Sequence, residues 1–229
     1  MNIRKSFENL TKLEKILWIV SMTCVVVCFI FSPEKNLLNF IASAVGVTAL
    51  IFVAKGDVLG QILTVFFSLL YGIISYTFDY YGEMITYLGM TMPIALVSVI
   101  SWLKHPYEEG KSEVEISHLT KAKTVLTFLI SIIVTVIFYF ILKFFNTANL
   151  IVSTISITTS FLASAFLVLR CEYYAVAYAA NDIILIVLWI LASCEDTSYI
   201  PMVVCFVMFF INDIYGFINW RRMKRRQNK

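Results

Sequence analysis

Eight apolar stretches, each close to the length of one membrane crossing, take up most of this 229-residue chain. They cover residues 16–31, 37–53, 58–78, 84–103, 124–145, 149–169, 173–193 and 199–220. A bilayer core about 30 Å thick needs about 20 apolar residues for each helical crossing. Only 14% of the residues are charged, against about 25% in a soluble domain. The sequence therefore predicts an all-α integral membrane protein with eight transmembrane helices.

The positive charges favour one orientation of these spans. If the N-terminus is cytoplasmic, every Lys and Arg except Lys35 and Lys143 falls on the cytoplasmic side. Translocation of positive charge is disfavoured, so we predict that both termini are cytoplasmic. The basic end RRMKRR is then an anchor at the membrane surface, and no nucleic-acid partner is expected.

The chain resembles itself when it is shifted by about 115 residues, a period that indicates an internal repeat. Spans two to four then lie over spans six to eight, and Lys55 meets Arg170 while Asp57 meets Glu172. The fifth span lies between the two units, so both point the same way across the bilayer. The predicted organisation is a tail with an extra N-terminal helix (1–35), a three-helix bundle (36–105), a loop with a linker helix (106–148), a second three-helix bundle (149–222) and a basic tail (223–229).

Parallel repeats around a central path are typical of transporters, which bind their substrates near mid-membrane. The third span carries a polar stripe at helical spacing that includes Gln61, Ser68 and Tyr71. The sixth span carries a similar serine stripe. Such stripes also let membrane helices pack closely; that interpretation is favoured for the sixth span, and both stay open for the third.

The seventh span places Asn181 and Asp182 near its centre. An ionised carboxylate at that depth costs about 3 kcal/mol on insertion scales, so Asp182 is expected to face a cavity or a partner. Tyr178 and Trp189 share its helical stripe. The alternatives are a hydrogen-bonded lock between helices for the Asn-Asp pair, and a tryptophan of the interfacial belt for Trp189.

The last span repeats the Asn-Asp pair at Asn212 and Asp213, with Tyr215 on the same part of the helix. These residues are predicted to add amide and carboxyl groups to the core. Trp220 is followed directly by two arginines, which favours an interfacial anchor.

The central stretches of all eight spans lack Lys and Arg. An anionic substrate at mid-membrane would need cationic donors or helix N-termini to replace its water. Acidic residues and aromatic rings suit a neutral or cationic ligand instead. The sequence therefore favours a nucleoside-like or heteroaromatic cation over a phosphorylated substrate.

The sequence gives little support for a cofactor or for enzymatic activity. The five cysteines lie in or next to apolar runs without a CxxC pair, and both histidines fall in one charged loop. Neither a phosphate-binding glycine loop nor a catalytic motif is present in the sequence. We expect core thiols, no cofactor, no metal and no enzymatic activity.

Four motifs resemble the PnuC family of bacterial vitamin transporters: YGIISYTFDYYGE, SWLKH, NDIILIVLW and NDIYGFINWRR. The resemblance implies uptake of nicotinamide riboside across the bacterial inner membrane by facilitated diffusion. It also implies a fold similar to the SWEET sugar transporters, with two parallel three-helix bundles, a homotrimer, and a cytoplasmic kinase that traps the substrate by phosphorylation.

Carried over by position, Asn181 and Asp182 match the place where the family's seventh span contacts substrate, and Trp189 would stack on the pyridinium. Asn212 and Tyr215 fall in the closing motif. Thiamine and riboflavin remain alternative vitamins, and a proton-coupled transporter using Asp182 or Asp213 is an alternative mechanism. The predicted substrate-binding residues are Ser68, Tyr71, Tyr178, Asn181, Asp182, Trp189, Asn212 and Tyr215.

Overall fold

The computed structural model is helical through most of the chain and describes residues 3–31, 37–77, 81–108, 112–147, 149–195 and 200–228. Within those residues, eight helices are long and apolar enough to cross a membrane. This confirms the predicted all-α class and the number of spans. The predicted span ends at 78 and 199, and the predicted boundaries at 35, 36 and 148, lie outside the described residues.

The helices follow the apolar runs closely. They are α1 (Ile3–Glu8), α2 (Lys12–Phe31), α3 (Leu37–Lys55), α4 (Val58–Thr77), α5 (Tyr81–Thr86), α6 (Met92–Lys104), α7 (Lys121–Phe144), α8 (Leu150–Val168), α9 (Tyr174–Glu195) and α10 (Ile200–Gln227). A π-helical turn, Tyr87–Thr91, joins α5 to α6 into one span.

The start of α2 lies four residues before the predicted position, residue 16. Thr11 and Glu14 form a capping box: the Glu14 N–H donates to Thr11 Oγ1 (3.3 Å) and the Thr11 N–H donates to Glu14 Oε2 (2.7 Å). This pairing satisfies backbone donors at the helix start. Because Lys12 and Lys15 lie in the first turn, hydropathy alone predicts a start that is too late.

Six spans pack in a closed ring. Going round it, α3 contacts α4, α4 contacts the α5–α6 span, α6 contacts α8, α8 contacts α9, α9 contacts α10, and α10 contacts α3. The two remaining spans lie at its edge, since α2 packs on α3 and α10 while α7 packs on α8. Apolar side chains such as Ile16 on α2 and Ile132 on α7 are exposed, as expected for faces that contact lipid.

Two matching turns lie at one end of the ring. Gly56 joins α3 to α4 at φ 73°, and Arg170 joins α8 to α9 at φ 56°. After each, the next N–H donates back into the preceding helix over 2.9 Å, from Asp57 to Phe52 and from Cys171 to Phe166. Gly56, not Lys55, therefore corresponds to Arg170, so the predicted alignment of the two turns is wrong by one residue.

Two tryptophans fill this end of the ring. Trp102 on α6 donates from Nε1 to the Leu167 carbonyl (3.1 Å), and Trp220 on α10 donates from Nε1 to the Val53 carbonyl (3.0 Å). Their ring centroids are 5.6 Å apart, and both side chains are fully buried. The prediction that Trp220 is an interfacial anchor is wrong, because the packing of α10 on α3 turns its indole into the core.

Residues 112–119, which we call the strap, cross the same end. The Val114 N–H donates to the Gly56 carbonyl (2.9 Å), and the Ser117 N–H donates to the Arg170 carbonyl (2.9 Å). The Ile116 N–H donates to Oε1 of Gln227 on α10 (2.7 Å). Val114 and Ile116 are buried in the tryptophan cluster. The strap thus closes this end, which we call the strap end.

Candidate functional site

A cavity of about 180 Å³ lies inside the ring, on the side of the strap end. It lies between α4, the π turn, α6, α8 and α9. Its walls mix hydroxyl, amide and apolar groups, contributed by Gln61, Thr64, Thr91, Ile94, Ala95, Ser98, Ser164, Leu167 and Tyr178. Such a mixture of apolar wall and few polar groups resembles the lining of small-molecule sites, although the space is smaller than the roughly 300–1,000 Å³ of a typical ligand pocket.

Gln61 is the most unusual residue of this cavity. Its side chain is 0% exposed, yet neither Oε1 nor Nε2 has a hydrogen-bond partner in the described part of the chain. Ser68, two turns further along α4, is equally buried, and its Oγ also lacks a partner there. Buried polar groups are normally paired, so α4 presents unused donors and acceptors.

The sequence-predicted site includes Ser68 but not Gln61. The signal was available, because Gln61 begins the same polar stripe of the third span. Hydropathy ranks a residue so near the start of a span as peripheral, whereas the structure buries the Gln61 side chain completely. Gln61 is therefore a candidate binding residue that the sequence-based prediction missed.

Tyr178 lines the same cavity from α9, as predicted. Its hydroxyl is 3.0 Å from Ser164 Oγ on α8, and either atom could donate. The serine stripe of α8 therefore contributes to the interior surface as well as to packing. One turn after Tyr178 on the same face lies Asp182.

Asp182 on α9 and Asp213 on α10 form a pair of buried carboxyl groups. The two side chains interact with each other, and they are 3% and 4% exposed. Asp182 Oδ2 has no hydrogen-bond partner among the residues described. Two adjacent buried carboxylates repel each other unless a proton or a cation lies between them, so this pair makes the interior favourable for positive charge.

Asn181 serves helix packing instead. Its Oδ1 accepts hydrogen bonds from Ser156 Oγ (3.0 Å) and Thr159 Oγ1 (2.9 Å), both on α8. This is the interhelical lock that the sequence left open as an alternative. A binding role for Asn181 stays a prediction that its Oδ1 contacts do not support.

Asn212 and Tyr215 are turned toward α2. Asn212 Nδ2 donates to Ser21 Oγ (3.1 Å) and to the Met208 carbonyl (2.8 Å), and Tyr215 Oη donates to Glu14 Oε1 (2.9 Å). Asn212 Oδ1 is buried with no partner within the described ranges. Of the two residues, only Asn212 keeps a polar atom for a ligand.

A second cavity, of about 340 Å³, lies toward the opposite end of the ring. It is lined by Gly82, Glu83, Thr86, Tyr87, Leu142, Thr147, Ser153, Ser156, Ile157, Ser160 and Leu185. The serine stripe of α8 continues from this cavity to Ser164 in the first one. One helix face therefore follows both cavities along the ring.

Aromatic side chains lie between the helices of this half. Tyr71 and Tyr87 have ring centroids 4.4 Å apart, and Phe67 lies 5.5 Å from Tyr71. Trp189 is buried and packs in a cluster with Leu185 and Phe206, which argues against a tryptophan of the interfacial belt. The structure thus places the predicted Tyr71 and Trp189 in separate aromatic groups.

The five cysteines are free thiols. Cys171, in the turn between α8 and α9, is buried. Burial raises the pKa of its thiol to about 11, which leaves it protonated and unreactive at neutral pH. The predicted role as a core thiol is confirmed for this residue.

Polar cavities inside a ring of membrane-spanning helices are the arrangement expected of a membrane transporter. A family model described as nicotinamide mononucleotide transporter matches residues 36–222. The chain belongs to this family, the PnuC transporters, which its motifs resemble.

Named relatives agree with that assignment. A nicotinamide riboside transporter PnuC of Neisseria mucosa is 26% identical, over 98% of this chain and 87% of the relative. A nicotinamide riboside transporter PnuC of Haemophilus influenzae is 20% identical, over 99% of this chain and 97% of the relative. A solved structure, described as a crystal structure of the vitamin B3 transporter PnuC, aligns with a TM-score of 0.82 at 26% identity, covering 96% of this chain and 94% of the other.

Proposed function

We propose that this transporter takes up nicotinamide riboside, which it binds inside the ring between Gln61, Tyr178 and Asp182. The observations that carry the proposal are the buried, interacting carboxyl groups of Asp182 and Asp213 and the unpaired polar atoms on α4. Nicotinamide riboside is a pyridinium cation with a carboxamide and ribose hydroxyls. It supplies the positive charge and the hydrogen-bonding groups that this interior lacks.

Charge distinguishes the riboside from its phosphorylated form. The family description names the mononucleotide, whereas both relatives are named for the riboside. A phosphate at mid-membrane needs cationic donors, and the central stretches of the spans lack Lys and Arg. The buried carboxyl pair would also repel it. The riboside is therefore the proposed substrate.

The two three-helix bundles, 36–105 and 149–222, are proposed to be parallel repeats as in SWEET-like transporters. The order of contacts supports this, because α3–α4–α6 and α8–α9–α10 meet at two equivalent joints, α6 with α8 and α10 with α3. The matched turns at Gly56 and Arg170 and the reciprocal bonds of Trp102 and Trp220 support it further. Residues 106–148 are then the strap and linker helix.

We place the strap end on the cytoplasmic side of the bacterial inner membrane, together with both termini, the N-terminal unit 1–35 and the basic tail 223–229. The excess of Lys and Arg on that side supports this orientation. The substrate enters from the opposite end and leaves past the strap. Transport is then facilitated diffusion. A cytoplasmic kinase phosphorylates the substrate, and net uptake continues because the phosphorylated product no longer fits the interior. A homotrimer, as the family resemblance implies, completes the proposal.

A binding screen tests the choice of substrate. Calorimetry on the detergent-purified chain is expected to show binding of nicotinamide riboside and none of its mononucleotide. Equal binding of both contradicts the charge argument. Selective binding of thiamine, which is also cationic, or of riboflavin assigns the scaffold to another vitamin.

Flux measurements test the mechanism. Proteoliposomes are expected to equilibrate the riboside across the membrane without an ion gradient or ATP. The carboxyl pair favours one alternative, a proton-coupled carrier, because it can hold a proton between Asp182 and Asp213. Accumulation above equilibrium that an uncoupler abolishes supports that alternative and excludes simple facilitated diffusion.

A further inference from the structure

We propose that Gln61 recognises the carboxamide group of the substrate and lets the transporter discriminate nicotinamide riboside from its carboxylate analogue, nicotinic acid riboside. This inference rests on the proposed function and names the residue that determines specificity. Gln61 lines the cavity, and both of its amide atoms are buried without a partner in the residues described. An amide in that state is either poorly placed or kept for a ligand.

The neighbouring polar groups are already committed. Thr64 Oγ1 donates to the Gly60 carbonyl (2.9 Å), and Ser98 Oγ donates to the Ile94 carbonyl (3.0 Å). The hydroxyls of Ser164 and Tyr178 pair with each other at 3.0 Å. Gln61, in contrast, offers a free donor and a free acceptor on one planar group.

That combination matches a primary carboxamide. A glutamine amide and a carboxamide join through two N–H···O bonds, because each carries an acceptor beside a donor. A carboxylate has acceptors only. It can accept from Nε2, but its second oxygen opposes Oε1, so one bond is replaced by repulsion.

The position of Gln61 also fits the rest of the ligand. Tyr178 shares the cavity with Gln61 and lies one helical turn before Asp182 on the same face of α9. A ligand whose carboxamide meets Gln61 therefore extends its pyridinium past the Tyr178 ring toward the carboxyl pair. The two ends of the site therefore contact different parts of one ligand molecule.

The decisive variant is Gln61→Met, which keeps the length of the side chain and removes its polar atoms. Calorimetry on the full-length purified chain compares nicotinamide riboside with nicotinic acid riboside. The unmodified protein is expected to prefer the amide at least tenfold, as sites built to pair a polar group reject analogues that lack it. Gln61→Met is expected to lose that preference together with at least tenfold of its riboside affinity.

Two controls separate recognition from other effects. Thr64→Val alters the same cavity but leaves Gln61, so the preference is expected to persist. The ligand-free Gln61→Met protein is expected to unfold at the same temperature or higher, because replacing an unpaired buried amide by an apolar group is not destabilising. A large drop in unfolding temperature, or failure to fold, shows that Gln61 holds the structure and overturns the inference.

The result also distinguishes this inference from the proposed function. If the riboside binds and Gln61→Met keeps the amide preference, the role of Gln61 is excluded and the transport proposal stands. If the unmodified protein does not bind the riboside at all, both fail together.

Discussion

The two three-helix units of the ring are nearly alike at the strap end and differ in the interior. At the strap end, each unit contributes a turn with a left-handed residue and a buried tryptophan bonded to the other unit. In the interior, the first unit offers the uncharged Gln61 and Ser68, whereas the second offers Asp182 and Asp213. The proposed repeat is supported where the ring is closed and is not matched by the polar side chains of the interior.

One pair of positions makes the difference concrete. Ser68 follows Gly56 at the same interval at which Asp182 follows Arg170. Both side chains are buried, but one carries a hydroxyl group and the other a carboxyl group. In the proposed repeat, only one of these two corresponding positions therefore carries a carboxyl group.

The largest effect is expected from Asp182→Asn, compared with Ser68→Ala at the equivalent position. Removing the carboxylate is expected to lower riboside affinity at least tenfold, since truncating one partner of a buried charge pair costs 2 kcal/mol or more as a rough guide. Ser68→Ala is expected to change it less than threefold by calorimetry. Elution as a monodisperse peak checks that both variants insert and fold. Unchanged binding by purified Asp182→Asn removes Asp182 from the site.

The next largest effect concerns the symmetric end. Trp102→Phe and Trp220→Phe each remove the indole hydrogen bond to a backbone carbonyl, that of Leu167 or of Val53. Each is expected to lower the free energy of unfolding by about 1–3 kcal/mol, and by similar amounts, because the bond is lost and the smaller ring leaves a cavity. Thermal unfolding in detergent measures both. A loss confined to one variant breaks the equivalence of the two units.

A smaller effect is expected at α2, which packs on α3 of the first unit and on α10 of the second. Tyr215→Phe removes the bond to Glu14 and is expected to cost about 1 kcal/mol of unfolding free energy, with riboside affinity unchanged. Thermal unfolding and calorimetry on one preparation give both values. A clear loss of affinity instead returns Tyr215 to the substrate site that the sequence predicted.

The smallest effect is expected at the strap's exposed ion pair. Arg170 Nη1 lies 3.4 Å from Glu115 Oε2, and the Glu115 side chain is 57% exposed. Solvent and salt screen such pairs, so Glu115→Gln is expected to change the unfolding free energy by less than about 0.5 kcal/mol. Gly56, the equivalent of Arg170, has no side chain and binds the strap through its backbone alone. A large effect of Glu115→Gln therefore shows that the strap depends on the second unit.

Hydropathy was sufficient for the spans and for the burial of Asp182 and Asp213, because lipid imposes a length and a polarity on every crossing helix. It was not sufficient for contacts between distant segments. Because Trp220 precedes two arginines, the sequence predicts an interfacial anchor, but in the structure α3 covers its side chain. Val114 and Ile116 lie in a charged loop, and their burial depends on two turns that only the folded ring brings together.

The polar stripes show the same limit at finer detail. Periodicity identified Asn181, Asn212 and Tyr215 as buried or inward residues, yet it cannot tell which neighbouring helix takes up each hydrogen bond. In the structure, Asn181 is hydrogen-bonded to α8 and Tyr215 is hydrogen-bonded to α2. Gln61 is the opposite case. It becomes a candidate only because its buried amide has no hydrogen-bond partner in the described part of the chain.

The three attachments of the strap also bear on how it detaches. Its backbone is bonded at once to the Gly56 turn, the Arg170 turn and Gln227, so thermal loosening of one attachment leaves the other two in place. Detaching the strap then requires all three attachments to break together, so we expect it to come away as one cooperative unit and not one hydrogen bond at a time.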